Sequence, residues 1–184
     1  MKVLIITKPI IKTIAEGSKK NAWQIASFTK NHEFYLMTYY DQIPNSKIHN
    51  ANIILKNVYS NKKFNFFQKL RLVIFMIFEN NRTDIYHYFF VPTLMTSHLF
   101  YYVTKFRKKN SIQSVPALYK TNINSKKINK LFFADVVVAY SEYTAKKLTN
   151  MGLRNVKQIA PGVNLNIYYK HPNKQKIKEN YSGP

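Results

Sequence analysis

The chain has 184 residues, of which 46% are apolar, enough for one domain with a buried core. It has no cysteine, which excludes disulfides and thiolate metal sites and points to a reducing compartment. Its 29 Lys and Arg against 8 Asp and Glu, a formal charge of +21, favour polyanionic partners, yet the arginines, which suit phosphate forks and base edges, are only Arg71, Arg82, Arg107 and Arg154.

The first residues, Met1 to Pro9, carry a short apolar run that Lys8 and Pro9 interrupt without a small-residue cleavage site, so the segment reads as a strand over 2–7 rather than a leader. Glu16-Gly17-Ser18-Lys19-Lys20 then precedes a helix predicted over 18–30, with Trp23, Ile25, Ala26 and Phe28 along it. Gly17 would let the backbone approach a ligand, Ser18 would cap the helix, and the free amides with Lys19 suit a phosphate. The same residues also describe an ordinary helix start. Neither GxGxxG nor GxxxxGK[ST] is present, so no dinucleotide fingerprint or Walker loop is expected.

Strands over 34–39 and 52–58 lead to a helix over 64–79. At 100° per residue, Gln68, Lys69, Arg71 and Glu79 mark its polar arc, and Leu72, Phe75 and Met76 fall inside that arc. Exposed bulky apolar groups among basic ones, with Lys62-Lys63 ahead of them, suit an interfacial membrane helix. Burial against a neighbouring loop or another domain is the competing account. The apolar stretch from Leu72 to Phe78 is far shorter than the roughly 18 residues of a membrane span.

Asp84-Ile85-Tyr86-His87-Tyr88-Phe89-Phe90 forms a strand over 84–90 and brings His87 toward the sheet end where open α/β folds place ligands. A histidine between aromatics also fits a core position. His32, His49, His98 and His171 have no partner at metal-ligand spacing, so no metal site is expected. A helix over 93–108 is followed by a strand over 111–116, which Pro116 ends, and then by Lys120 and a helix over 125–133. The last clear block is a strand over 135–140, a helix over 142–151 with Ser141 as cap and Glu142 at its positive end, Gly152 as its stop, and a strand over 156–160 running into Pro161-Gly162-Val163-Asn164. From Tyr168 to Pro184 the chain is polar and lysine-rich. Alternating apolar runs and helical patterns predict an α/β fold, a doubly wound parallel sheet in a single domain.

The block from Ala134 to Asn164 resembles the end of the N-terminal domain of family-4 retaining glycosyltransferases of the GT-B fold, where "ADxVIAxSEYTxxxLxxxGxxNVxVIPPGVD" is a common form. It departs from that form mainly at Ala160 and at Asn164, where the family usually has Asp. The resemblance implies a Rossmann-like acceptor-binding domain over 1–167 and a linker over 168–184 that leads to an absent donor domain. It further implies that Gly17, Ser18 and Lys19 lie beside the donor diphosphate and the acceptor, and that His87 takes the catalytic place of the first histidine of "DxxHxH", with Phe89 at the second. Pro116 falls where relatives carry the histidine of "TVH" and cannot donate a hydrogen bond, so either the Gln113–Ser114 backbone and Lys120 take over that task or the chain is impaired in it. Ser141, Glu142, Gly162 and Asn164 would border the cleft.

The function so implied is transfer of a sugar from a nucleotide-sugar to a hydroxyl of a glycan or lipid-linked acceptor, with retention, in glycan, glycolipid or cell-surface polysaccharide synthesis. It needs neither cofactor nor metal, and this half alone would be inactive. The family often seats such a helix as 64–79 on anionic membranes, so Lys69, Arg71, Leu72, Phe75 and Met76 are the expected membrane contacts, and the location is cytoplasmic or peripheral on the inner membrane face. The rival is a stand-alone basic module for RNA or anionic membranes, favoured by charge and aromatics. Because the aromatics sit in apolar runs and no RNP-like or helix-turn-helix pattern occurs, nucleic acid is not the expected partner.

Overall fold

The computed structural model describes residues 1–10, 17–39, 52–79, 83–90, 92–115 and 127–160. In chain order they form β1 (Lys2–Ile10), α1 (Gly17–Phe28), β2 (Glu33–Tyr39), β3 (Ile53–Tyr59), α2 (Phe66–Phe78), β4 (Ile85–Phe89), α3 (Leu94–Phe106), β5 (Asn110–Val115), α4 (Ile128–Leu131), β6 (Val136–Ala139), α5 (Glu142–Asn150) and β7 (Val156–Gln158). The strands make one parallel sheet in the order β3-β2-β1-β4-β5-β6-β7. The winding reverses between β1 and β4, which makes the fold the Rossmann-like, doubly wound α/β sheet that the sequence predicts.

Right-handed crossovers from that reversal put α1 on one face and α2 to α5 on the other. Ala22, Trp23 and Ala26 of α1 accordingly pack on Val3, Ile5, Phe34 and Leu36. Leu72, Val73 and Met76 of α2 and Phe100 and Val103 of α3 pack on the alternate residues, Leu4, Ile6, Tyr35, Met37, Tyr86 and Tyr88. A third cluster joins Ile128 of α4 and Leu148 of α5 to Val137 and Ala139.

Helix ends follow from local chemistry. Asn65 accepts from the Gln68 amide at 3.1 Å to start α2, and Thr93 and Thr96 form a reciprocal capping box at the start of α3. Gly152, at φ +96, closes α5, with its own amide on the Thr149 carbonyl and the Leu153 amide on the Leu148 carbonyl, a Schellman arrangement. Two aspartates of the quoted motifs clamp the N-terminal edge of the sheet. The Asp84 carboxylate accepts from the Lys2 amide at 2.7 Å, and the Asp135 carboxylate accepts from the Ser111 amide at 2.8 Å and its hydroxyl at 2.7 Å.

Helix α2 corrects one expectation. Leu72 and Met76, placed at a lipid surface from periodicity, are fully buried, and Phe75 is half-buried against the same core cluster. The cause is Gln68. Its side chain is buried because the carbonyl accepts from the Ser60 amide and the amide donates to the Ser60 hydroxyl, both at 2.9 Å, so a polar residue lies on the core face. The outward arc instead carries Phe66, Phe67, Leu70, Ile74 and Phe78 beside Arg71. Among the described residues, no helix is long and apolar enough to cross a membrane.

Candidate functional site

Loops at the C-terminal strand ends beside the winding reversal are where an open α/β sheet receives ligands, here the ends of β1 and β4 with their neighbours β5 and β6. Helix α1 starts at this edge. Gly17 is its first residue, is exposed, and has open space where a Cβ would stand. Ser18 lies one residue inside the helix, so it is part of the first turn and not the cap. Lys19 follows in the same turn, and Lys20 is exposed.

His87 is the third residue of β4, opposite Ile5 and Ile112, on the face that α1 covers. It is 9% exposed, its Nε2 lies 2.9 Å from the Ser114 hydroxyl, and its ring lies 4.1 Å from that of Phe89. Burial pulls its pKa down to about 3, so the ring is neutral at physiological pH. As placed, His87 is a buried neutral group whose Nε2 is engaged with Ser114 within the fold. Phe89 is itself buried in the α1-side core.

Register explains the partner. His87 faces Ile112, and two residues further along β5 Ser114 projects from the same side of the sheet. Tyr140, just past the end of β6, comes to this side as well, packing on the α1 cluster with its hydroxyl against Ser114 and Asn21. Burial raises the Tyr140 pKa, Ser114 and Asn21 oppose the rise, and among the described residues the buried oxygen makes no well-formed hydrogen bond. Four strand and helix segments thus converge in a largely buried cluster of neutral polar groups, Asn21, His87, Ser114 and Tyr140, suited to fixing the strand ends against α1 and lacking any charge of its own. Sequence reading missed Asn21 and Tyr140 and valued Ser114 only for its backbone. The register of β4 on β5 was the signal that pointed to it.

Ser141 and Glu142 begin α5 at the same edge. The Ser141 hydroxyl oxygen accepts from the Thr144 amide at 3.2 Å, and Glu142 pairs with Lys146 at 2.7 Å in solvent. Both residues are engaged within the helix's own first turns. Pro116, Lys120, Gly162 and Asn164 lie outside the described residues. Of the expected lipid contacts, the Lys69 ammonium stands 5.7 Å over the Phe64 ring, and the Arg71 Nε donates to the Val58 carbonyl at 3.2 Å while the residue remains exposed.

On the opposite face, beside the start of α3, an open groove of about 380 Å³ is lined by Leu94, Met95, His98, Lys127 and Lys130. None of these residues stood out in the sequence, since Lys127 and Lys130 precede the strand motif and Leu94 and Met95 read as ordinary helix.

No protein-family model matches the chain, and no curated protein does. Solved structures of Anabaena Alr3699/HepE share its fold. In complex with UDP and glucose, that protein superposes with a TM-score of 0.62 at 14% identity, covering 99% of this chain and 50% of its own length. Its complex with UDP-glucose gives 0.60 at 14% identity, covering 98% and 49%. Its complex with UDP gives 0.57 at 14% identity, covering 97% and 49%. The chain therefore spans about half the length of that protein.

Proposed function

We propose that this chain is the acceptor-side domain of a retaining, family-4 glycosyltransferase of the GT-B fold, moving a sugar from a nucleotide-sugar to a hydroxyl in glycan, glycolipid or cell-surface polysaccharide synthesis. One observation carries the reading: the whole domain, 99% of the chain, superposes on half of a protein that binds UDP and glucose. The donor nucleotide belongs to a second α/β domain that follows the linker over 168–184. This domain contributes the edge formed by the ends of β1, β4, β5 and β6. There the first turn of α1, with Gly17 and Lys19, faces the donor phosphates and the acceptor, and the Asn21, Ser114 and Tyr140 groups brace the strand ends beneath it. His87 positions Ser114 from beneath as a neutral hydrogen-bond partner. A cytoplasmic location suits this chemistry.

Calorimetry with UDP-glucose, other UDP-sugars and GDP-sugars tests the assignment. The chain alone should bind none of them tightly and transfer nothing. Micromolar binding accompanied by transfer would overturn the half-enzyme reading.

The outward face of α2 supports a second element of the proposal, peripheral attachment to an anionic bilayer. Phe67 is 69% exposed and Phe78 77%, with Phe66, Leu70 and Ile74 on the same arc and Lys62, Lys63 and Arg71 exposed around it. Such a stripe of bulky apolar groups among cations matches the chemistry of an acidic lipid interface.

A further inference from the structure

We propose that the groove between α3 and α4 binds a single-chain anionic amphiphile, with a phosphate head between Lys127 and Lys130 and its hydrocarbon chain on Leu94 and Met95. The inference extends the glycosyltransferase reading by naming the acceptor's chemical class, and it rests on that reading only for the word acceptor.

Three features of the groove point the same way. Its floor is apolar, since Leu94 and Met95 present large side chains to solvent although each stands in the first turn of a well-capped helix. Its rim is cationic, and among the described residues neither Lys127 nor Lys130 has a carboxylate partner. It offers no carboxylate and no side-chain amide among its described lining residues, the groups that would hold a bare sugar ring.

The groove also does not stop at its own floor. Leu94 and Met95, His98, Tyr102 and Phe106 succeed one another at intervals of three or four along the outward face of α3, and Tyr102 and Phe106 are strongly exposed. From Leu94 to Phe106 that face runs about 18 Å, long enough to support an extended alkyl or isoprenoid chain. At its far end the Arg107 guanidinium donates to the Glu79 carbonyl, which ties the close of α3 to the close of α2 and sets Phe106 at the same end of the domain as Phe78. An amphiphile seated in the groove would thus have an apolar track from the C-terminal edge of the sheet to the stripe assigned to the bilayer.

Dodecyl phosphate, titrated below its micellar concentration and followed by calorimetry and by the Met95 methyl resonance, tests the site. Inorganic phosphate and the uncharged dodecyl maltoside serve as parallel probes. The expected result is saturable binding of dodecyl phosphate, weakened at least about tenfold by Lys127→Glu with Lys130→Glu and again by Met95→Asp, with both parallel probes weaker by about tenfold. Lys157→Glu, on β7, should leave the affinity unchanged. Equal affinity for inorganic phosphate would reduce the groove to an anion site, equal affinity for the maltoside would reduce it to an apolar patch, and an equal loss in Lys157→Glu would reduce the effect to overall charge. Each of these overturns the proposal. Met95 is exposed, so its variant folds independently of the groove's occupancy, and thermal midpoints check all variants. No nucleotide-sugar enters the assay, so its outcome is separable from that of the nucleotide-sugar titrations.

Discussion

Replacing His87 by Gln, which keeps a hydrogen-bonding group opposite Ser114 but cannot titrate, should change how stability depends on pH. In the folded chain burial holds the imidazole pKa at about 3, against an ordinary value of 6.5 when unfolded. Above pH 6.5 neither state is protonated, and the stability tied to the neutral ring is fully present. As the pH falls below 6.5 the unfolded chain takes up a proton that the folded chain refuses, so stability declines by about 1.4 kcal/mol per pH unit until the folded pKa is reached. Between pH 7 and pH 5 this amounts to about 2 kcal/mol, a large part of a small domain's total. Urea denaturation at pH 7, 6 and 5 should show that loss in the parent and a much flatter profile in His87→Gln, whatever the variant's stability at pH 7. Identical profiles would refute the reasoning and mean that the ring gains a proton in the folded state. An NMR titration of the His87 ring would then place its pKa near the ordinary value.

The corrected orientation of α2 separates two kinds of substitution. Leu72→Ala, at a fully buried position, should cost about 2–5 kcal/mol in denaturation, whereas Phe67→Ser with Phe78→Ser should cost little and should release the protein from anionic vesicles in flotation. If the double variant still floats while loss of Lys62, Lys63 and Arg71 abolishes floating, charge alone holds the protein there. Gly152→Ala forces a side chain into φ +96 and should cost roughly 1–3 kcal/mol, read as a lowered thermal midpoint.

The order of strands and helices was legible because buried parallel strands are near-continuous apolar runs and the last helix carries clear end signals, as Ser141 and Gly152 show. The facing of α2 was not. In a helix with apolar residues nearly all round, a few polar positions decide the assignment, and Gln68 satisfies its side chain against Ser60 in the interior. For His87, the aromatic neighbours correctly suggested a core position, but only the pairing of β4 with β5 identifies Ser114 as its partner. The groove was invisible for a similar reason: Met95 and Lys127 lie 32 positions apart in the chain and meet only through the packing of α3 on α4.

The aspartate clamps at the strand starts have an electrostatic counterpart across the whole domain. Of the described carboxylates, Glu33, Asp84 and Asp135 lie at or beside strand beginnings, Glu79 follows the close of α2 at that same end, and Glu142, at the opposite edge, is neutralised by Lys146. Apart from Glu142, the described carboxylates are thus gathered at one pole, where Lys2, Arg107, Lys108 and Lys109 accompany them, while the helices, running against the strands, aim their positive ends at the other. The free amides at those helix starts would draw an incoming anion to the strand-end edge, and added salt should weaken that attraction.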